Sequence, residues 1–394
     1  MASSNQQTPV GKKTKGKQNK KRVNHEYDAV IVGAGAAGIG SAIALMHVGV
    51  ENFLIIERNS VGSSFAAWPE ETRFITPSFP SNSIGMLDLN SIAIGVSPAY
   101  NMRIEHPTGQ DFADHLKSLA DLFELPVWDQ TDVTGLRREN DVFVISTDSG
   151  TIYSKNVIWA VGEYQYPSNA EFEGGELCRH TATVEAYRNL EGDDFVVIGG
   201  YESGIDAAYH LANNGKSVRV FDSSCPWGAE TSDPSIALST YSFERMENRS
   251  FNESVELYAN TKINSVRFDG DVYTITTDSG NSYTTKTQPL LATGFRGGHQ
   301  SVSHLFEQRD DGFPVLNDND ASTITQGMYI CGPSVRHDGH IFCFIYKYRQ
   351  RFGIVARSIA ESLGLETEEF VAAYRSWGMF LDDLSCCGQE CLTC

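Results

Sequence analysis

The feature that most constrains this chain is a repeat. Residues 33–45, GAGAAGIGSAIAL, align without gaps onto residues 199–211, GGYESGIDAAYHL. Each follows a short apolar run (DAVIV, 28–32; FVVI, 195–198). Each precedes a second run that ends in an acid (FLIIE, 53–57; VRVFD, 218–222). A second pair follows in the same order, FVISTDSGTIYSKNVIWAVG (143–162) and YTITTDSGNSYTTKTQPLLATG (273–294). Both alternate apolar and polar residues, turn at Asp-Ser-Gly and alternate again, which is a hairpin signal. Both then close on a small residue and a glycine, Val161-Gly162 and Thr293-Gly294. One unit therefore occurs twice: strand, Gly-rich turn, helix, strand, and later a hairpin with a closing strand. The fold expected is α/β, with two tandem Rossmann-like dinucleotide-binding domains, each carrying a β-hairpin or three-stranded β insertion.

The first turn, Gly33-Ala34-Gly35-Ala36-Ala37-Gly38, is a complete GxGxxG between strand and helix. Gly33 permits the tight turn, Gly35 lets backbone approach a pyrophosphate, and Gly38 lets helix pack on strand. The pyrophosphate then meets backbone N–H groups at the helix N-terminus. Glu57 ends the next strand, where an acid accepts ribose hydroxyls. The ligand expected is NAD or FAD rather than NADP. The second turn, Gly199-Gly200-Tyr201-Glu202-Ser203-Gly204, keeps the first and third glycines and has Tyr201 in place of the second. That side chain would crowd a pyrophosphate unless it points outward. Asp222 ends the following strand and favours a 2′-hydroxyl, and Arg219 should point to the other face by strand alternation.

Charge divides the chain. Seven of the 31 basic residues lie in residues 1–22, which hold no acid, so residues 23–394 carry 24 basic against 50 acidic residues, net −26. Such a body repels nucleic acid. It would also slow anionic nucleotides unless the cleft is locally basic, for which Arg73, Arg296 and Arg336 are candidates. The basic segment is too poor in apolar residues to fold and is expected to be disordered. The apolar run 29–50 after it is interrupted by the turn glycines, so it is a nucleotide-binding unit and not a signal peptide. No stretch of about 20 apolar residues spans a bilayer, and a soluble, cytoplasmic protein without membrane or nucleic-acid partners is expected.

With these residues in hand, the chain resembles the two-dinucleotide-domain flavoproteins, the thioredoxin-reductase-like pyridine nucleotide oxidoreductases. It is most similar to the bacillithiol-disulfide-reductase type and next to the flavin-containing monooxygenase-like group. The resemblance covers roughly residues 26–362. It rests on VIVGAGAAG with FLIIER, on Trp68-Pro69-Glu70-Glu71-Thr72-Arg73-Phe74, on VVIGGYESGIDAA, and on MYICGP with the segment to Ala356. It implies FAD on the first module and NADH or NADPH on the second. The cofactor-binding residues it implies are Gly33, Gly35, Ala36, Ala37, Gly38, Glu57, Arg58, Val133, Gly162, Gly332 and Pro333, with Gly199, Gly200, Ser203, Gly204, Asp222 and Gly294. The segment from Cys331 through His340 to Phe344 would start the helix whose N-terminus faces the isoalloxazine. The domains expected are a basic tail (1–25), a first FAD part (26–165), an NAD(P)H part (166–290), a second FAD part (291–364), and a C-terminal helix with a Cys-rich tail (365–394). The resemblance leaves a homodimer open.

Two departures matter. Thioredoxin reductases carry a CxxC in the second module, and none lies between 166 and 290 here. Bacillithiol-disulfide-reductase-type proteins often carry a Cys inside the first Gly motif, where this chain has Ala37. Four of the eight cysteines instead fall in the last nine residues, CCGQECLTC, after a helix expected over 368–380. Cys386, Cys387, Cys391 and Cys394 admit three readings: a catalytic redox tail, a site for a soft metal ion, or a tail without function. Cys178, Cys225, Cys331 and Cys343 are expected to be isolated, buried small hydrophobes. The function expected is that of an FAD-dependent enzyme using NAD(P)H to reduce a small acceptor, a disulfide or thiol-bound metal, through the C-terminal cysteines. The alternatives are a flavin-dependent monooxygenase and a non-enzymatic flavoprotein that senses redox state or metal.

Overall fold

The computed structural model describes residues 26–81 and 84–385. The basic segment 1–25 and the four C-terminal cysteines lie outside the described residues. The first module is a seven-stranded sheet. Its parallel part sets β1 (Glu26–Val32) between β2 (Phe53–Ile56) and β6 (Gly150–Trp159), with β3 (Val127–Trp128) outside β2. β4 (Val133–Glu139) and β5 (Val142–Thr147) complete an antiparallel meander with β6. β6 serves both parts. Its first half pairs with β5, and Val157–Trp159 pair with Met328–Ile330, a strand that returns from far along the chain. The apolar runs read from the sequence are thus fully buried central strands, as parallel sheets covered on both faces require.

The second module repeats the plan. Its five-stranded parallel sheet runs Val255–Tyr258, Ser217–Phe221, Asp194–Ile198, Leu290–Leu291, Arg179–His180. The expected insertion is a separate three-stranded antiparallel sheet, Ile263–Phe268, Tyr273–Thr277 and Ser282–Thr285. Register Ile198↔Phe221 sets the ends of the two central strands side by side, as Val32↔Ile56 does in the first module.

The helix Ala36–His47 is buried from Ala36 to Leu45 because it lies between the first sheet and the helix Phe352–Ser362. A Cβ on Gly40 would meet the Phe352 ring at 2.1 Å, so this crossing depends on glycine. The C-terminal helix is shorter than its apolar pattern suggests. It spans Glu368–Ser376 rather than 368–380. Gly378, at φ 63°, turns the chain so that its N–H donates to Arg375 O and that of Met379 to Tyr374 O. This Schellman closure frees Met379 and Phe380 to enter the core. Among the described residues no helix is long and apolar enough to cross a membrane.

Among the described residues, a buried histidine has no hydrogen-bond partner. His115, 4% exposed on the helix Gly109–Leu122, finds no hydrogen bond for either ring nitrogen. Burial pushes its pKa down to about 4 from the ordinary 6.5. The unfolded chain therefore takes up the proton first as pH falls, so the pH-dependent cost of His115 is absent above pH 6.5 and grows towards pH 4. His115→Leu should flatten this slope, gaining on the order of 3 kcal/mol near pH 4, measured by denaturant unfolding at pH 7 and at pH 4.5.

Candidate functional site

The two Gly turns have the same geometry. Gly33 at φ +104° and Gly199 at φ +103° both need glycine, since a Cβ would meet Ala160 O at 2.6 Å and Ala292 O at 2.3 Å. A Cβ on Gly38 or Gly204 would sit 1.9 Å from the carbonyl oxygen of Gly33 or Gly199. These glycines press each helix onto its strand. Gly35 is different. Its φ, −82°, suits any residue, and a Cβ there would meet nothing within 4 Å. The protein's own packing does not require glycine at 35; a Cβ there would face open space. Tyr201 has the same φ and ψ, −82° and −167°, so the extra side chain leaves the second turn undistorted. Its hydroxyl donates to Pro234 O (2.5 Å) and Ala237 O, which ties the ring to the 234–237 loop.

The acids at the strand ends are held alike. Glu57 Oε2 accepts the Ala34 N–H at 2.8 Å, and Oε1 accepts from Asn59 N and Ser63 Oγ. Asp222 Oδ2 accepts the Gly200 N–H at 2.6 Å, and Oδ1 accepts from Ser224 N and Oγ at 2.7 Å. In each module the carboxylate takes the N–H that follows the first glycine.

Both turns open into one cleft of about 1160 Å³. Of the residues expected to bind cofactor, Gly33, Gly35, Ala36, Ala37, Glu57, Arg58, Val133, Gly162, Gly199, Ser203, Asp222, Gly294 and Pro333 line it. Gly38, Gly200, Gly204 and Gly332 lie behind, in packing or turn roles. A volume above the usual 300–1,000 Å³ of a single small-ligand pocket, with backbone N–H groups of two helix N-termini facing it, fits a dinucleotide and a second nucleotide. The helix after the Cys331 loop starts later than expected. Arg336–His337 and His340–Ile341 pair as a short ribbon, and helix begins at Ile345, directly after Phe344. His337 faces away from the cleft, with Nε2 2.5 Å from Asp320 Oδ1 in a buried cluster with Arg351. Arg73 and Arg336 line the cleft, whereas Arg296 does not.

Sequence reasoning missed Cys343, expected to be an isolated, buried small hydrophobe. It lines the cleft, and its Sγ lies 3.3 Å from Ser235 Oγ, which also accepts from Lys347 Nζ at 2.9 Å. Burial pushes the thiol up, against Ser235, Lys347 and Arg336. Glu163, also in the cleft, is likewise pushed up by burial, opposed by Arg336. No local pattern marks either residue.

The sequence also gave no sign of what fixes the two modules to each other. Thr72 Oγ1 donates to Asp206 Oδ2 at 2.6 Å, and Asp206 Oδ1 accepts from Arg245 at 2.6 Å. Glu71 accepts the N–H groups of Tyr187 and Arg188, both at 3.0 Å. Burial favours a neutral Asp206, but His210 and Arg245 hold its carboxyl below the ordinary value. Asp206→Ala strands Arg245, 7% exposed, without its counter-charge. The expected cost is about 3–5 kcal/mol, seen as a lower Tm together with weaker retention of flavin.

Residues 30–332 match the model of the pyridine nucleotide-disulphide oxidoreductase family. Bacilliredoxin reductase from Bacillus subtilis is 24% identical over 342 residues, covering 84% of this chain and 97% of that protein. An uncharacterized CzcO-like oxidoreductase from Geobacillus kaustophilus is 25% identical over 196 residues, 49% of this chain, so that the chain spans about half (53%) of that relative. In fold the chain is similar to the bacillithiol disulfide reductase of Staphylococcus aureus, with a TM-score of 0.70 and 22% identity over 86% of this chain and 99% of the other. The chain belongs to the pyridine nucleotide-disulphide oxidoreductase family, whose members are oxidoreductases that use FAD and NAD(P)H.

Proposed function

We propose that this protein takes hydride from a pyridine nucleotide held at the second Gly turn and reduces a small disulfide with FAD held along the first. The observation that carries this reading is the single cleft that contains both turns. Bound FAD would supply a two-electron relay between nucleotide and acceptor. The N–H groups at the start of the helix Ala36–His47 would hold its pyrophosphate beside Gly35. Glu57, already fixed by Ala34 and Asn59, would accept ribose hydroxyls. The Thr131–Val133 backbone at the cleft edge would border the adenine, and the residues around Gly162 and Pro333 the ring system. Ser203, at the start of the helix Glu202–Asn213, would meet the second nucleotide's phosphates. On the acceptor side, Cys386, Cys387, Cys391 and Cys394 would relay electrons to the disulfide, or to a thiol-bound soft metal ion. The mean thiol chemistry required is thiolate exchange. Support for a disulfide as substrate comes from the family, described as pyridine nucleotide-disulphide oxidoreductases.

Three experiments test the reading. Anaerobic addition of NADH or NADPH to the purified yellow protein should bleach its visible flavin band; no bleaching by either overturns it. Gly35→Ala should cost the flavin-free protein no more than about 1 kcal/mol, because a Cβ there meets no protein atom within 4 Å, yet weaken flavin retention. A larger loss of apo-protein stability would show that the space beside Gly35 is structural. Truncation after Leu384 should abolish disulfide reduction while flavin bleaching persists. If disulfide reduction survives, the tail carries no electrons, and Cys343 is the thiol left in the cleft.

A further inference from the structure

We infer that the second nucleotide site selects NADH over NADPH, with Asp222 as the residue that rejects the 2′-phosphate. This deepens the proposed function and rests on its placement of a pyridine nucleotide at the second turn. Asp222 directly follows Phe221, the last residue of the strand paired with Asp194–Ile198, so its carboxylate stands beside the Gly199 turn and lines the cleft with Gly199 and Ser223. Three donors fix its direction: Gly200 N, Ser224 N and Ser224 Oγ, at 2.6–2.7 Å. It cannot swing aside without leaving the Gly200 and Ser224 N–H groups unpaired. The arrangement repeats that of Glu57 and Ala34 in the first module. A carboxylate in this position accepts hydrogen bonds from ribose hydroxyls and repels a phosphate dianion.

Acceptance of the phosphate would need a cation, and among the described residues no Lys or Arg of the second module lines the cleft. Residues 220–244 contain no Lys or Arg. Arg219 is turned to the other face, where it donates to Asp194 and to Thr284 O. Arg245 is committed to Asp206 at the module junction, and Lys216 pairs with Asp193. On the neighbouring segment Thr261 N–H donates to the Asp222 carbonyl. Lys262 follows it at an exposed position, one residue beyond the contact.

The test uses the FAD-loaded full chain, with anaerobic NADH and NADPH titrations read by flavin bleaching and calorimetry with NAD⁺ and NADP⁺ read as Kd. The non-phosphorylated nucleotides should bind at least tenfold tighter. Ser223→Arg adds a cation at an exposed position and leaves the three hydrogen bonds of Asp222 in place. It should narrow the preference at least tenfold, and Asp222→Asn should narrow it in the same direction. NADPH bleaching the wild-type flavin at equal or lower concentration than NADH overturns the inference while the proposed function stands. Bleaching by neither overturns both. A preference for NADH unchanged in both variants overturns the assignment to Asp222.

Discussion

The structure depends on a contact that leaves no room for a side chain: the first turn of a helix pressed against the glycine that ends a strand. The space is so close that a Cβ on Gly38 or Gly204 would lie 1.9 Å from a backbone oxygen. That contact aims the helix N-terminus, with its unpaired N–H groups, across the end of the parallel sheet. The same contact made twice, with nearly equal φ at Gly33 and Gly199, gives two turns of the same geometry. Strand register does the rest, because it brings Glu57 and Asp222 back to the N–H beside each first glycine.

Under the proposed function, two such turns make two nucleotide sites. They make one redox centre only if the modules are held so that both face a common cleft. Here the hold is polar and buried: Thr72 and Arg245 on Asp206, and Glu71 on the backbone of Tyr187 and Arg188. A paired buried carboxylate adds little to stability compared with an apolar contact, but it tolerates few geometries. It therefore suits a junction whose task is to fix an angle. The acidic excess of the chain plays no part in this. The two acids that matter at the turns act through fixed hydrogen bonds, and Arg73 and Arg336 bring positive charge to an otherwise acidic protein's cleft.

The turns, the strands, the hairpins and the strand-end acids were legible because each rests on local rules. Glycine is required at positive φ, apolar runs form covered strands, and Asp-Ser-Gly closes a hairpin. The helix expected over 368–380 ran too far because its apolar pattern continues through Met379 and Phe380, whereas Gly378 ends it. The stretch before Ile345 was expected to begin a helix and instead forms a ribbon, with His337 drawn into the Asp320–Arg351 cluster. Cys343 was taken for an ordinary apolar residue, since nothing near it in the chain predicts that Ser235, more than 100 residues earlier, would stand beside it.

The sequence by itself determined the doubled α/β unit, the residues of both turns and the acid at the end of each second strand, because these depend on neighbours a few residues away. Only the tertiary structure decided which way Tyr201 points, which thiol reaches the cleft and what joins Thr72 to Asp206. Those outcomes depend on which distant segments pack together, and a pattern read along one chain does not record distances across it.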